Sequence, residues 1–185
     1  MFQQYNRIGT EMKLVFILLA VILTACAGSG THRAEPSDVG WVTRGVFERP
    51  LYEPFKTGYD TAHVAGEFVP LIRMLAPGTS VTVFFGGWCG DSKRQVPHFL
   101  KIMDAAGVSS DSIRIYALDR TKKSGDGLTD RYAITAVPTF IFLKGGEEIG
   151  RITESPTTTL EADVLTILGK KAEAKNPDHA GTPSP

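Results

Sequence analysis

Apolar residues recur along the middle of the chain with two different periods, and their alternation predicts the order of the elements. Residues 80–85 and 113–118 are short, dense apolar runs typical of buried strands. Residues 60–75 and 92–106 instead carry apolar side chains three and four positions apart, which predicts helices. The sequence therefore predicts helix, strand, helix and strand in that order.

The second of these helices has clear internal features. Gly107 is expected to end it, and Pro97 is expected to bend it. Its buried face is predicted to carry Val96, Phe99, Leu100 and Met103.

A hairpin and a last helix are predicted further along the chain. Residues 139–143 and 148–152 are apolar segments on either side of Lys144-Gly145-Gly146-Glu147, and paired glycines favour a tight hairpin turn. Residues 160–168 have the pattern of an amphipathic helix. Since a hairpin adds antiparallel strands, the pattern predicts an α/β fold with a central mixed β-sheet flanked by helices.

The N-terminal segment has the pattern of an export signal. Residues 14–23 form an apolar run behind Lys13, too short to span a bilayer as a helix but typical of a signal peptide. Leu23-Thr24-Ala25-Cys26 resembles the bacterial lipobox, which implies a lipid on Cys26. An uncleaved membrane anchor is the alternative, and Met12 is an alternative start to Met1.

Both interpretations of this segment place the rest of the chain outside the cytoplasmic membrane. Ala27, directly after the lipobox cysteine, implies the outer membrane, with the domain facing the periplasm. The expected organisation is a lipoprotein signal peptide over 1–26, a flexible tether over 27–40, a folded domain over 41–170 and a disordered tail over 171–185.

Charge and cysteine usage narrow the expected partners. Twenty Lys and Arg residues balance twenty Asp and Glu residues, so neither a nucleic-acid partner nor electrostatic binding to an acidic surface is expected. His32 and His63 lack neighbours at metal-ligand spacing, and neither a metal nor a cofactor is expected.

With Cys26 lipidated, Cys89 is the one free thiol. An unpaired cysteine in an oxidising compartment indicates a function.

Cys89 lies in the segment Trp88-Cys89-Gly90-Asp91-Ser92, between a predicted strand and a predicted helix. The first turn of a helix has unpaired N–H groups and the positive end of the helix dipole, which favour a thiolate. Lys93 and Arg94 would add to this field, whereas Asp91 would oppose it, so its sign stays open.

With Ala136-Val137-Pro138-Thr139 before a strand and the glycine hairpin, this turn resembles the active site of the thioredoxin superfamily over roughly 41–170. The resemblance implies a thioredoxin-like fold, a cis peptide bond before Pro138 and thiol-disulfide exchange by Cys89. Ser92 is expected to donate a hydrogen bond to the thiolate. The substrate-binding residues implied by the resemblance are Trp88, Gly90, Asp91, Val137 and Pro138.

Two departures from the thioredoxin pattern affect the expected activity. Ser92 replaces the second cysteine, which resolves the mixed disulfide by internal exchange. Val83 stands where thioredoxins have a buried aspartate. A mixed disulfide at Cys89 would therefore be cleared by an outside thiol or by the substrate's own second thiol.

These departures favour a monothiol exchanger or an isomerase-like activity. The expected partners are periplasmic proteins with thiols or disulfides, or small thiols, together with the membrane through the lipid on Cys26. A peptide-binding or chaperone-like module without turnover, and an envelope scaffold with an inactive site, are the alternatives.

Overall fold

Five strands form one sheet in the order β1-β3-β2-β4-β5 in the computed structural model, which describes residues 36–170. β2 and β3 are parallel, and the pairs β1–β3, β2–β4 and β4–β5 are antiparallel. This mixed sheet, flanked by helices, confirms the predicted fold class. The strands are β1 (Gly40–Val42), β2 (Thr79–Phe85), β3 (Ile113–Ala117), β4 (Thr139–Lys144) and β5 (Glu147–Thr153).

The helices are mostly short. They are α1 (Glu53–Thr61), α2 (Val69–Leu75), α3 (Gly90–Ala105), α4 (Leu128–Arg131) and α5 (Leu160–Leu168), with 3-10 turns at Arg44–Glu48, Pro50–Tyr52 and Ser110–Ser112. Within residues 36–170, none of them has the length and apolar character needed to cross a bilayer.

The helix predicted over 60–75 is wrong as one continuous element. The chain leaves α1 at Ala62, and α2 starts only at Val69. Pro70 explains the division, because a proline has no N–H to donate to the carbonyl four residues earlier and is tolerated in the first turn of a helix. Val64 and Phe68, in the intervening turn, still pack against the core.

Helix α3 confirms the predicted pattern. Its boundaries lie within two residues of the prediction, and Gly107 follows it with a φ of +73°. Pro97 lies inside the helix, where α1 approaches closely: a Cβ on Gly58 would lie 2.8 Å from Pro97 Cγ. The predicted buried residues Val96, Phe99, Leu100 and Met103 are all buried.

The hairpin and the last helix also confirm the prediction. Gly145 and Gly146 have φ values of +61° and +86°, as a two-residue turn with left-handed backbone requires. The β4–β5 ladder shifts register between Phe142 and Leu143. Helix α5 has the predicted bounds, 160–168.

Strand β2 supplies side chains to both sides of the sheet. Phe85 points to the side covered by α1, α2, α3 and α5, where it packs against the rings of Phe47, Tyr52 and Phe55. Phe84 points to the other side, which is covered by the connection between β3 and β4. Buried residues on that second side are Phe84, Tyr116, Leu118, Ile134, Val137 and Ile141.

The first residues of the described chain, 36–39, form an N-terminal arm that packs on the domain. Pro36 is buried, and the Asp38 carboxylate accepts hydrogen bonds from the Tyr52 hydroxyl at 2.9 Å and from Arg49 Nη1 at 2.6 Å. The tether predicted over 27–40 is therefore too long at its C-terminal end. The other parts of the predicted organisation that precede or follow the domain, 1–26, 27–35 and 171–185, lie outside the described residues.

The Asp38–Arg49 pair should make the stability of the domain depend on pH. The Arg49 hydrogen bond lowers the pKa of Asp38 below its ordinary value of 3.8, so the ionised carboxylate stabilises the fold above that value. We expect Asp38→Asn to lower the free energy of unfolding at pH 7 by about 1 kcal/mol or less. The difference should fade as the pH falls from 3.8 through the lowered pKa of the folded protein, because the unfolded chain binds the proton first and the folded wild type binds it last.

Urea unfolding at pH 7 and at pH 3 measures this difference. Asp111→Asn, which removes the same charge at an exposed position, is the matched control. A difference between Asp38→Asn and wild type that persists unchanged at pH 3 would show that the carboxylate charge is not its cause.

Candidate functional site

Cys89 lies between the end of β2 and the start of α3. It is the N-cap residue of α3, with extended backbone (φ −83°, ψ 128°), and its side chain is half-buried. Its N–H donates to the Gly86 carbonyl at 3.0 Å, and its carbonyl accepts from the Lys93 N–H at 3.1 Å. These two bonds fix the backbone of the turn and hold the sulfur at the positive end of the helix.

The sulfur of Cys89 contacts the second motif predicted from the sequence. Its thiol donates to the Val137 carbonyl oxygen at a Sγ–O distance of 3.1 Å. The Val137–Pro138 peptide bond is cis, as the resemblance implied, and both residues are buried. The fold thus brings together residues 48 positions apart. Because a thiolate has no proton to donate, this bond belongs to the protonated form of Cys89.

Ser92 is fully buried, and its hydroxyl accepts a hydrogen bond from the Gly86 N–H at 3.2 Å. The side chain therefore ties the first turn of α3 to the loop that follows β2. The structure gives the Ser92 hydroxyl this backbone partner and gives the Cys89 sulfur the Val137 carbonyl. Donation from Ser92 to a thiolate stays a prediction.

Trp88 is held in place on three sides. Its Nε1 donates to the Leu118 carbonyl at 3.0 Å, and the Arg120 guanidinium lies 5.0 Å from the ring centroid. The ring also covers Gly86, where an added Cβ would lie 2.7 Å from Cε2. The indole is thus a fixed, half-buried surface next to Cys89.

The charged residues of the first turn of α3 offset each other. Asp91 and Arg94 form an ion pair, and both side chains are substantially exposed, so water screens it. Gly90 is exposed and leaves the start of the helix open. Asp91 and Arg94 therefore largely cancel, which leaves Lys93 and the start of the helix as the features of this turn that favour negative charge.

Val83 is fully buried in the core, at the position where the resemblance places a carboxylate. The buried carboxylate of the described residues is instead Glu161 on α5, which is 4% exposed. It accepts from the Ala65 N–H at 3.2 Å and lies 3.1 Å from His98 Nε2. His98 thus pairs with Glu161 on the last helix. Between residues 36 and 170, no group of three acidic, His or Cys side chains could hold a metal ion.

The contact of the N-terminal arm with the Cys89 turn was not predicted from the sequence. A Cβ on Gly87 would lie 2.4 Å from Pro36 Cβ and 3.2 Å from the Tyr52 ring, so only glycine fits between them. The Gly86-Gly87 pair directly after a buried strand is a sequence signal for close approach. Its partners lie some 35 to 50 positions away and carry no such signal.

A family model described as thioredoxin matches residues 65–166. A thioredoxin of Malassezia sympodialis is 30% identical over 94 residues, covering 50% of this chain and 86% of the relative. Thioredoxin H9 of Arabidopsis thaliana is 28% identical over 94 residues, covering 51% of this chain and 63% of the relative.

Solved structures give the same kind of match. The Malassezia sympodialis thioredoxin structure is 27% identical with a TM-score of 0.37, covering 49% of this chain and 76% of that chain. Oxidised mitochondrial thioredoxin 3 of Saccharomyces cerevisiae is 28% identical with a TM-score of 0.33, covering 54% of this chain and 91% of that chain. Because the family match spans more than half of the chain and includes both the Cys89 turn and Val137-Pro138, this protein belongs to the thioredoxin family.

Proposed function

We propose that this protein is a monothiol thiol-disulfide exchange protein of the bacterial cell envelope, with Cys89 as its single nucleophile. The observation that carries the proposal is the position of the Cys89 sulfur at the start of α3, 3.1 Å from the carbonyl that precedes the cis bond to Pro138. The thioredoxin domain suggests redox chemistry of this kind, and Ser92 makes a single-cysteine mechanism the consistent one.

In the proposed exchange, the Cys89 thiolate attacks one sulfur of a substrate disulfide. A new bond forms between Sγ and that sulfur, and the other substrate sulfur leaves as a thiolate. An outside thiol, or another thiol of the substrate, then attacks the substrate sulfur of the mixed disulfide. A new disulfide forms at that sulfur, and Cys89 leaves as a thiolate. The protein gains and loses no electrons overall, so it exchanges or rearranges disulfides without acting as a net reductant.

The residues around the sulfur have complementary roles in this proposal. The N-terminal end of α3 stabilises the attacking thiolate, and Trp88 limits one side of the substrate site. The backbone of Val137 offers hydrogen-bonding groups to an extended substrate peptide, and the cis bond to Pro138 fixes their direction. Gly90 and Asp91 line the open start of the helix.

The proposed location follows from the N-terminal sequence. The apolar run 14–23 and the lipobox-like segment ending at Cys26 support export and lipidation of that cysteine. Ala27 favours the outer membrane, and the domain would then face the periplasm.

The test is mixed-disulfide formation by the detergent-solubilised full chain with glutathione disulfide, followed by mass spectrometry. We expect one glutathione adduct on Cys89 of the wild type and none on that position in Cys89→Ser, because a hydroxyl is not a comparable nucleophile. Both proteins keep Cys26 and differ by one atom, so they are matched. Equal adduct formation in the two proteins, or none in the wild type, would overturn the proposal.

A second candidate is a binding module that holds its partner without turnover. Its support is the fully buried Ser92, which offers no second thiol to release a bound partner. The two candidates differ in the lifetime of the adduct in 1 mM reduced glutathione. Release supports exchange, whereas an adduct that persists supports binding.

A further inference from the structure

The chain enters the domain at the same end of the sheet as the candidate site. Gly40 and Phe85 both pair with Ala117, from opposite sides of β3. Since β1 is antiparallel to β3, its first residue stands where β2 and β3 end. The turn that carries Cys89 begins at this same end.

The N-terminal arm fixes this entry point against the turn itself. Pro36 is buried against Gly87, which is two residues before Cys89. The Asp38 carboxylate is held by Tyr52 and Arg49, and Tyr52 also lies against Gly87. The position where the chain joins the fold is therefore adjacent to the active-site turn and held there by packing and charge.

The number of residues before this point limits its distance from a lipid on Cys26. Cys26 precedes Pro36 by ten residues, which span at most about 35 Å when fully extended. Ten residues that behaved as a random coil would have an average end-to-end distance of about 17 Å. A folded domain of this size has a radius of gyration of about 14 Å and hence a diameter of about 36 Å, so even ten fully extended residues are no longer than the domain is wide.

We infer that the Cys89 site acts on membrane proteins whose thiols or disulfides lie at the bilayer surface, within the reach of this tether. The inference rests on the proposed function, in which Cys26 carries the lipid and Cys89 exchanges disulfides. The formal net charge of zero gives the bilayer no strong electrostatic hold on the domain. The attachment of the chain next to the Cys89 turn is then what keeps this end of the domain near the lipid headgroups.

The test uses the full lipidated chain in phosphatidylcholine vesicles and two pyridyl disulfide probes. One probe is attached to a lipid headgroup and the other is a soluble analogue of the same charge. Cys89 displaces pyridine-2-thione from either probe and forms the mixed disulfide, so absorbance reports the rate. We expect the lipid probe to react at least tenfold faster than the soluble probe at the same total concentration, with the signal absent in Cys89→Ser.

Two insertions between Gly30 and Thr31 test whether the distance between the domain and the bilayer matters, or only the attachment of the protein to the vesicle. A rigid helical spacer of forty residues adds about 60 Å where it is fully helical, whereas a Gly-Ser spacer of the same length has an average extension of about 35 Å and can fold back. We expect the rigid spacer to remove most of the advantage of the lipid probe, the flexible spacer to remove less, and neither to change the rate with the soluble probe.

The possible outcomes separate the inference about the bilayer surface from the proposed exchange function. An unchanged lipid-probe rate with the rigid spacer, or a wild-type rate no faster with the lipid probe than with the soluble one, would overturn the inference and leave the exchange function intact. Failure of both probes to react at Cys89 would overturn the exchange function, and the inference with it.

Discussion

Ser92→Cys should shorten the lifetime of the mixed disulfide at Cys89 by about 100-fold or more, because a neighbouring thiol replaces an outside one. Residue 92 lies in the first turn of α3, three positions after Cys89. A thiol there attacks within the same molecule, where the effective concentration of a well-placed group far exceeds the millimolar level of a free thiol. The product is a disulfide between residues 89 and 92. The variant can therefore take up or release two electrons as a dithiol–disulfide pair, which the wild type cannot do.

The measurement is the release of glutathione from the preformed adduct in 1 mM reduced glutathione, followed by mass spectrometry. Ser92→Ala is the control, because it removes the hydroxyl without adding a thiol and should leave the lifetime unchanged. This control should lower stability by about 1–3 kcal/mol, since the buried Gly86 N–H loses its acceptor. If Ser92→Cys releases glutathione no faster than Ser92→Ala, the side chain at position 92 does not reach the mixed disulfide.

Phe85→Ala should lower the free energy of unfolding by about 3–5 kcal/mol, the range for removal of a buried aromatic ring. Phe85 is fully buried, and its ring centroid lies 5.3 Å from that of Phe47 and 5.5 Å from that of Phe55. The cavity would open at the end of β2, directly beneath the loop that leads to Cys89. The substitution should therefore also loosen the seat of the N-terminal arm on Gly87.

Urea unfolding followed by circular dichroism measures the loss. Leu71→Ala on α2 is the matched control, because Leu71 is 43% exposed and its truncation should cost less than about 1 kcal/mol. A loss at Phe85 no larger than at Leu71 would mean that the aromatic cluster is not the stabilising centre of this side of the sheet.

The elements that the sequence predicted well are those whose signals are local. The α3 face and the Gly145-Gly146 turn depend on residues a few positions apart, and the structure has both. The helix predicted over 60–75 was wrong because the prediction relied on the helical spacing of the apolar residues alone. Pro70 is tolerated in the first turn of a helix but not in its interior, so a new helix starts there. Val64 and Phe68 are partly buried in the segment between α1 and α2, so their packing fits the same apolar pattern without a helix.

The motifs that meet at the site could be predicted from the sequence, whereas the contacts around them could not. Cys89 and Pro138 were identified because they belong to two recognisable motifs, and the fold brings these motifs together. The Pro36–Gly87 contact was missed because pairing over 51 positions leaves no periodic trace in a single sequence. The acceptor role of Ser92 toward Gly86 was missed because a hydroxyl has many possible partners, and only the backbone geometry of the turn selects one.

The two edges of the sheet have a consequence for association between copies of the protein. The β1 edge is only three residues long, and the register shift between Phe142 and Leu143 bends the ladder that ends in β5. Glu147, Glu148 and Arg151 add charge along that outer strand. A short edge and a bent, charged edge are poor templates for a strand from another chain, so this sheet resists edge-to-edge aggregation when copies are crowded together.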